Sequence, residues 1–362
     1  MTDELESKFP HKVLFFRLSN KVDRGQLEEL KKSGDIVFFY DEIERQLKEL
    51  IRCRYPMGVN PDEEEKLIQD LLQGKTKEEY GVWVYYPWCR SLVHLLDEAE
   101  FVEVRTNRNQ LKISKEEQLR LSGKKIGVIG LSVGQSIALT MAMERICGVL
   151  RLADFDSLDL SNMNRLRTGV FNLSVPKVVI AAREIAEIDP YLVVELFPQG
   201  IDSNNYDEFL KGDGGLDVLV EVCDSFEVKL DSRFRSRAAK IPVVMDTNDR
   251  GMLDVERFDL EPDRPVFHGL AGDLTVDTLK MLTSGERSAY LMKVVEAQNL
   301  SVKMKNSISE IGRTIASWPQ LASEVVLGGA VTTTVCREIL LGRTVNSGRY
   351  YLDVEKAIGI TD

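Results

Sequence analysis

The chain has 362 residues, 43% of them hydrophobic and 29% charged, with a net charge of −11. That length allows two domains at ~150 residues each. The acidic balance argues against a nucleic-acid partner, because phosphate contacts need a positive surface. No apolar run reaches the ~18 residues needed to cross a bilayer, and residues 1–10 are charged. Neither a membrane span nor a secretory leader is expected, and the cytoplasm is the default compartment. Five cysteines and three histidines are scattered without a CxxC pair, which predicts free thiols and no zinc site.

In chain order, residues 12–17 (KVLFFR) and 36–40 (IVFFY) read as strands, each followed by a helical pattern. Residues 82–88 (VWVYYPW) read as a third strand, with a helix expected over about 90–98. Together they predict a small α/β domain at residues 1–104, whose YYPW cluster is core packing. After a polar stretch, 124–130 (KKIGVIG) is a strand ending in a glycine turn. A helix follows at 135–146, then a strand at 149–153 that ends in Asp154. Strands at 192–197, 218–222 and 243–245 alternate with helices at 206–211 and up to 237. This alternation predicts an α/β fold over residues 105–362, a Rossmann-like, doubly wound, mostly parallel sheet. A small-residue helix at 319–341 and a strand at 350–354 complete it.

The glycine turn reads Gly130-Leu131-Ser132-Val133-Gly134-Gln135. Glycines at such a turn let the backbone approach a phosphate and aim a helix N-terminus at it. Only Gly130 stands where the G-x-G-x-x-G fingerprint wants it; Gly134 is out of register. Asp154 closes the next strand, where an acid accepts hydrogen bonds from ribose hydroxyls. Together they indicate a nucleotide and leave ATP and NAD both open.

The runs ADFDSLDLSNMNRL (153–166), VPK (175–177) and VCDS (222–225) resemble the superfamily of ubiquitin-activating enzymes and ThiF–MoeB-type adenylyltransferases. The likeness covers residues 105–354. It implies that Asp154 holds ribose, that Asn162 and Arg165 line the nucleotide, and that Lys177 binds phosphate. Gly130, Ser132 and Gly134 would form the phosphate loop, and Asp224 would hold Mg²⁺ near the α-phosphate. Arg108, in RTNRNQ (105–110), would reach the γ-phosphate across a homodimer interface. The implied reaction is ATP-dependent adenylation of a carboxylate on a peptide, a carrier-protein C-terminus or a small molecule. Such chemistry needs cations and a metal-holding acid around the phosphates, because charge builds on phosphoryl oxygens and on the leaving pyrophosphate. Residues 245–324 contain no cysteine, so no enzyme-bound thioester is expected.

Residues 245–258, with Asp246, Asn248, Asp249 and Arg250, are either an acyl-substrate contact or a polar hairpin; His268 is expected to be structural. The stretches YYPW, RTNRNQ, GLSVGQ, SWPQLAS and SGRYYLD are similar to a bacterial branch of the superfamily in which this module can be joined to a nitroreductase-like domain. Two other readings stand beside adenylation. The altered glycine loop allows a catalytically degenerate nucleotide-binding scaffold. The Gly130–Asp154 pair allows an NAD(P)-dependent oxidoreductase, which leaves Arg165, Lys177 and Asp224 without a task.

Overall fold

The computed structural model describes residues 2–360, with side chains from Glu4 onward. Contacts divide the chain into two compact units: residues up to 115 together with 186–191, and the remainder.

The first unit holds a four-stranded sheet of β1 (Leu14–Phe16), β2 (Phe38–Asp41), β3 (Val82–Tyr86) and β4 (Ser91–Leu95), in the order β1-β3-β4-β2. β4 replaces the helix expected over 90–98. Its sequence SLVHL alternates, with Leu92 and His94 buried and their neighbours half-buried, which is the period of a strand. Arg90 takes a left-handed φ of 54° in the turn that folds β4 back on β3. His94 stacks on Trp83 with ring centroids 4.1 Å apart and bonds the Asp41 carboxylate at 2.8 Å. The helix Ile43–Arg54 buries Ile43, Leu47, Leu50 and Ile51 against Ile68 and Leu72 of Pro61–Leu72, a one-face spacing. Asn60 starts the second of these helices by accepting from the Glu63 N–H at 2.9 Å, with Pro61 at the first helical position.

The second unit is the doubly wound sheet: β5 (Lys125–Ile129), β6 (Val149–Ala153), β7 (Val193–Phe197), β8 (Val218–Glu221), β9 (Val243–Asp246), β10 (Met252–Glu256) and β11 (Gly348–Tyr351). Their order is β11-β10-β9-β8-β5-β6-β7, with β5 to β9 parallel and β10 and β11 antiparallel. The chain winds outward from β5 through β6 and β7, then returns to place β8 on the other side of β5. That reversal is the switch point where open α/β sheets bind ligands. The inner strands are continuous apolar runs because both faces are covered: Ile126, Val128, Leu150, Leu152, Leu219 and Val220 are fully buried. Residues 252–256, expected within a polar hairpin or a substrate contact, form the buried strand β10. Asp254 and Glu256 enter the interior there because Arg349 and Arg233 neutralise them at 2.7 and 2.6 Å. The helix Ala322–Leu340 lies against Leu131–Glu144, where its Gly329 approaches Ser136. Among the described residues, no helix is long and apolar enough to cross a membrane.

Candidate nucleotide site at the switch point

β5 leads through Gly130 into the helix Leu131–Glu144. Gly130 has φ +90°, and a Cβ built on it would lie 2.7 Å from the Cα of Cys223. The exits of β5 and β8 therefore touch backbone to backbone, leaving no room for a side chain. A Cβ at Gly134 would lie 2.7 Å from a Val128 methyl. Gly134 thus supplies the close helix–strand approach that the last fingerprint glycine provides, one residue early. This corrects the reading of Gly134 as merely out of register. Gln135 is buried and donates to the Glu184 carboxylate at 2.6 Å, tying its helix to Lys177–Ile188. The Val133 side chain is likewise buried.

Asp154, at the end of β6, accepts the Leu131 N–H at 2.6 Å on one oxygen and the Asp156 N–H at 2.8 Å on the other. Burial raises its pKa, against the opposing pull of Lys177 and these two amides. Each carboxylate oxygen keeps a lone pair for a further donor. Lys177 is only 5% exposed. Its ammonium donates to Asp156 at 2.9 Å and to the Ser132 hydroxyl at 3.2 Å. Ser132, standing where a second glycine was expected, is thereby linked to the candidate phosphate lysine. Asp156 was not singled out from the sequence; its place in the D-x-D run was the available signal of this role.

Arg165 is half-buried and donates through Nη1 to Asn164 at 2.9 Å. Its Nε is buried and has no hydrogen-bond partner among the described residues. Burial lowers the guanidinium pKa, and the nearby Asp224 carboxylate opposes that shift. Asn164 in turn donates to the Gln320 carbonyl at 2.7 Å, just before the helix Ala322–Leu340. Asn162 uses its carbonyl oxygen within its own turn, accepting the Asp159 N–H at 3.1 Å. Asp224 is exposed beyond β8, next to Ser225, whose hydroxyl caps Phe226–Ala239 by accepting the Val228 N–H at 3.3 Å.

The second unit therefore assembles Gly130, Ser132, Asp154, Lys177, Arg165 and Asp224 around the carboxyl ends of β5, β6 and β8. Arg108 belongs to the first unit, in the turn Asn107–Asn109. His268 is indeed held on both ring nitrogens, by Arg264 at 2.8 Å and Asp254 at 3.1 Å.

The chain is similar in sequence to several known proteins. Over 285 residues the chain is 45% identical to Uncharacterized protein MT1398 of Mycobacterium tuberculosis (strain CDC 1551 / Oshkosh), covering 79% of this chain and 39% of that protein. It is 28% identical over 156 residues to the tRNA threonylcarbamoyladenosine dehydratase of Bacillus subtilis (strain 168), covering 42% of this chain and 60% of the relative. It is 24% identical over 188 residues to the molybdopterin-synthase adenylyltransferase of Haemophilus influenzae, covering 51% and 75%. The chain thus spans less than two thirds of each of the first two relatives, 39% and 60% of their lengths. The model of the ThiF family matches residues 106–304, more than half of the sequence. With the glycine turn of β5, the acid of β6 and the buried lysine in place, the chain belongs to the ThiF family.

Proposed function

We propose that the second unit binds ATP at the β5 switch point and adenylates a carboxylate, without forming a thioester of its own. The observation that carries this reading is the arrangement around Lys177. A nearly buried ammonium stands between Ser132 and Asp156, and Arg165 offers a buried, unpartnered Nε donor. Buried donors without partners are costly unless a ligand completes them. Three phosphates are the matching acceptor set, and Asp154 supplies the acceptor for ribose hydroxyls.

In this reading Lys177 and Arg165 offset charge on the phosphoryl oxygens as a substrate carboxylate attacks the α-phosphorus and pyrophosphate leaves. The N-terminus of Leu131–Glu144 adds its dipole. Among the described residues no cluster of three or more His, Cys, Asp or Glu is able to hold a metal ion. A Mg²⁺ held by Asp224 would complete its shell with phosphate oxygens and water, as this ion commonly does, and would neutralise phosphate charge. The exposed Asp224 carboxylate fits that arrangement. Burial pushes the Cys223 thiol pKa well up, which argues against a reactive thiolate beside the site.

A relative named as an adenylyltransferase supports the reaction class. The proposed acyl substrate is a peptide or carrier-protein C-terminus, and the proposed assembly is a cytoplasmic homodimer in which Arg108 serves the partner's site. In functional terms residues 105–362 are then the adenylation domain and residues 1–104 a small α/β domain. Thermal shift compared for Mg·ATP and NAD tests the site. Stabilisation by Mg·ATP alone, lost in both Lys177→Ala and Asp224→Ala, is the expected result; a parent protein unmoved by Mg·ATP would refute it.

A further inference from the structure

Beneath the exit of β8 lies a closed charge cluster. The Glu221 side chain is fully buried, and one of its oxygens accepts the backbone N–H of Cys223 at 2.9 Å. That bond bends the chain through Val222 and Cys223 toward Asp224, at the point where Cys223 touches Gly130. The other oxygen accepts from Arg233 Nη1 at 2.8 Å, and Lys229 donates to both, at 3.1 and 3.3 Å. Burial works to raise the Glu221 pKa, but Lys229 and Arg233 outweigh it and hold the carboxylate below the usual range. Arg233 is fully buried too, and its Nε donates to Glu256 of β10 at 2.6 Å. The second Glu256 oxygen accepts the Phe267 N–H at 2.6 Å. The Phe267 ring lies 3.9 Å from the Arg233 guanidinium carbon. Phe267 and His268 both hold left-handed φ values, 51° and 56°, in the crossover segment between β10 and the helix Ala322–Leu340.

Among these four side chains two carboxylates face two cations, and each carboxylate also takes one backbone N–H from a turn outside the strands. Apolar side chains of similar volume would stabilise such a core as well or better, because desolvating ions is costly. The ions provide directional bonds instead. The geometry points to Glu221, Arg233 and Glu256 as positioning residues that fix the turn presenting Asp224 and join it to the crossover turn at Phe267. This rests on the reading of Asp224 as the acid that faces the metal and the α-phosphate. Displacement of the crossover turn would then reach Asp224 through three side chains.

Two conservative variants of the full chain, Glu221→Gln and Glu256→Gln, test it by amide-resolved hydrogen exchange and by Mg²⁺ titration of the ATP-bound protein. The Cys223 amide is expected to exchange about tenfold faster in Glu221→Gln and about threefold faster in Glu256→Gln, while residues 218–220 stay within about twofold. The Mg²⁺ midpoint is expected to rise by the same order in each variant, with affinity for Mg-free ATP changed less than about twofold. The relay is overturned if Cys223 exchange is unchanged in folded Glu256→Gln, or if all of β8 and β9 loosens equally. Equal weakening of Mg-free and Mg-bound ATP would overturn it as well. A parent protein indifferent to Mg·ATP would sink the adenylation reading instead, and exchange at Cys223 alone would then decide the relay.

Discussion

The two sides of β5 hold charge in opposite ways. At the exits of β5 and β6 the ionic groups are few and open to further bonds, although Arg151 within β6 is buried and paired with Glu195. Asp154 is held by backbone amides, Lys177 by one carboxylate and one hydroxyl, and Arg165 keeps an unused buried Nε. Toward β8 and β10 the ions are more numerous and mutually paired: Glu221, Lys229, Arg233 and Glu256 are joined at 2.6 to 3.3 Å. Open valence is what a binding site needs, whereas closed valence holds a shape. The first arrangement costs stability until a ligand arrives, and the second fixes where the site's remaining acid stands.

The largest expected effect breaks the open side. Lys177→Ala removes the ammonium that bridges Ser132 and Asp156, and should abolish the thermal shift given by Mg·ATP in a calorimetric scan. A shift equal to the parent's would mean that phosphate binds elsewhere. Next is Gly130→Ala, which places a methyl 2.7 Å from the Cys223 Cα at φ +90°. The left-handed backbone and the clash together should cost roughly 2–4 kcal/mol in urea unfolding.

A third prediction uses pH. Burial raises the Asp246 pKa to about 7, aided by Glu324 and opposed by the Asn248 amide and Lys229. In the unfolded chain an aspartate titrates near ~3.9. Between about pH 4 and 7 the folded state therefore holds a proton that the unfolded state lacks, and stability falls as pH rises through that window. Asp246→Asn removes this term. Relative to the parent, it should gain about 1–3 kcal/mol of unfolding free energy between pH 4 and pH 8. Parallel stability curves would show that the carboxyl is already ionised in the folded protein. The smallest effect sharpens the contrast between buried and surface ions. Lys211→Ala, which breaks a pair with Asp207 at 3.1 Å between exposed side chains, should change stability by less than about 0.5 kcal/mol.

Much of the candidate site was legible beforehand because its residues sit at fixed offsets from strand ends. Gly130, Asp154 and Asp224 each follow a short apolar run, and Lys177 opens a helix after Val175-Pro176. β4 was misread, and β10, the second arm of the hairpin read as one alternative for residues 245–258, was not expected to be buried, for two different reasons. β4 is five residues long, and its alternation was absorbed into a neighbouring helical pattern. β10 carries Asp254 and Glu256, which argue against burial until their cations are known. Arg233 comes from a helix before β9 and Arg349 from β11, near the other end of the chain. The role of Gly134 was misread because the fingerprint counts positions along the chain, whereas the contact it serves is with Val128 on β5.

By itself the sequence determined the β-α alternation and the sheet's parallel winding, since apolar period and strand-end residues are local properties of the chain. It also determined which glycine, acid and lysine flank the switch point. Only the tertiary structure decided how those groups are bonded: Ser132 to Lys177, Gln135 to Glu184, and Glu221 through Arg233 to Glu256. The physical reason is that a buried charge is defined by its partner. Partners brought together by β-strand order rather than by chain order leave no period in the sequence to read.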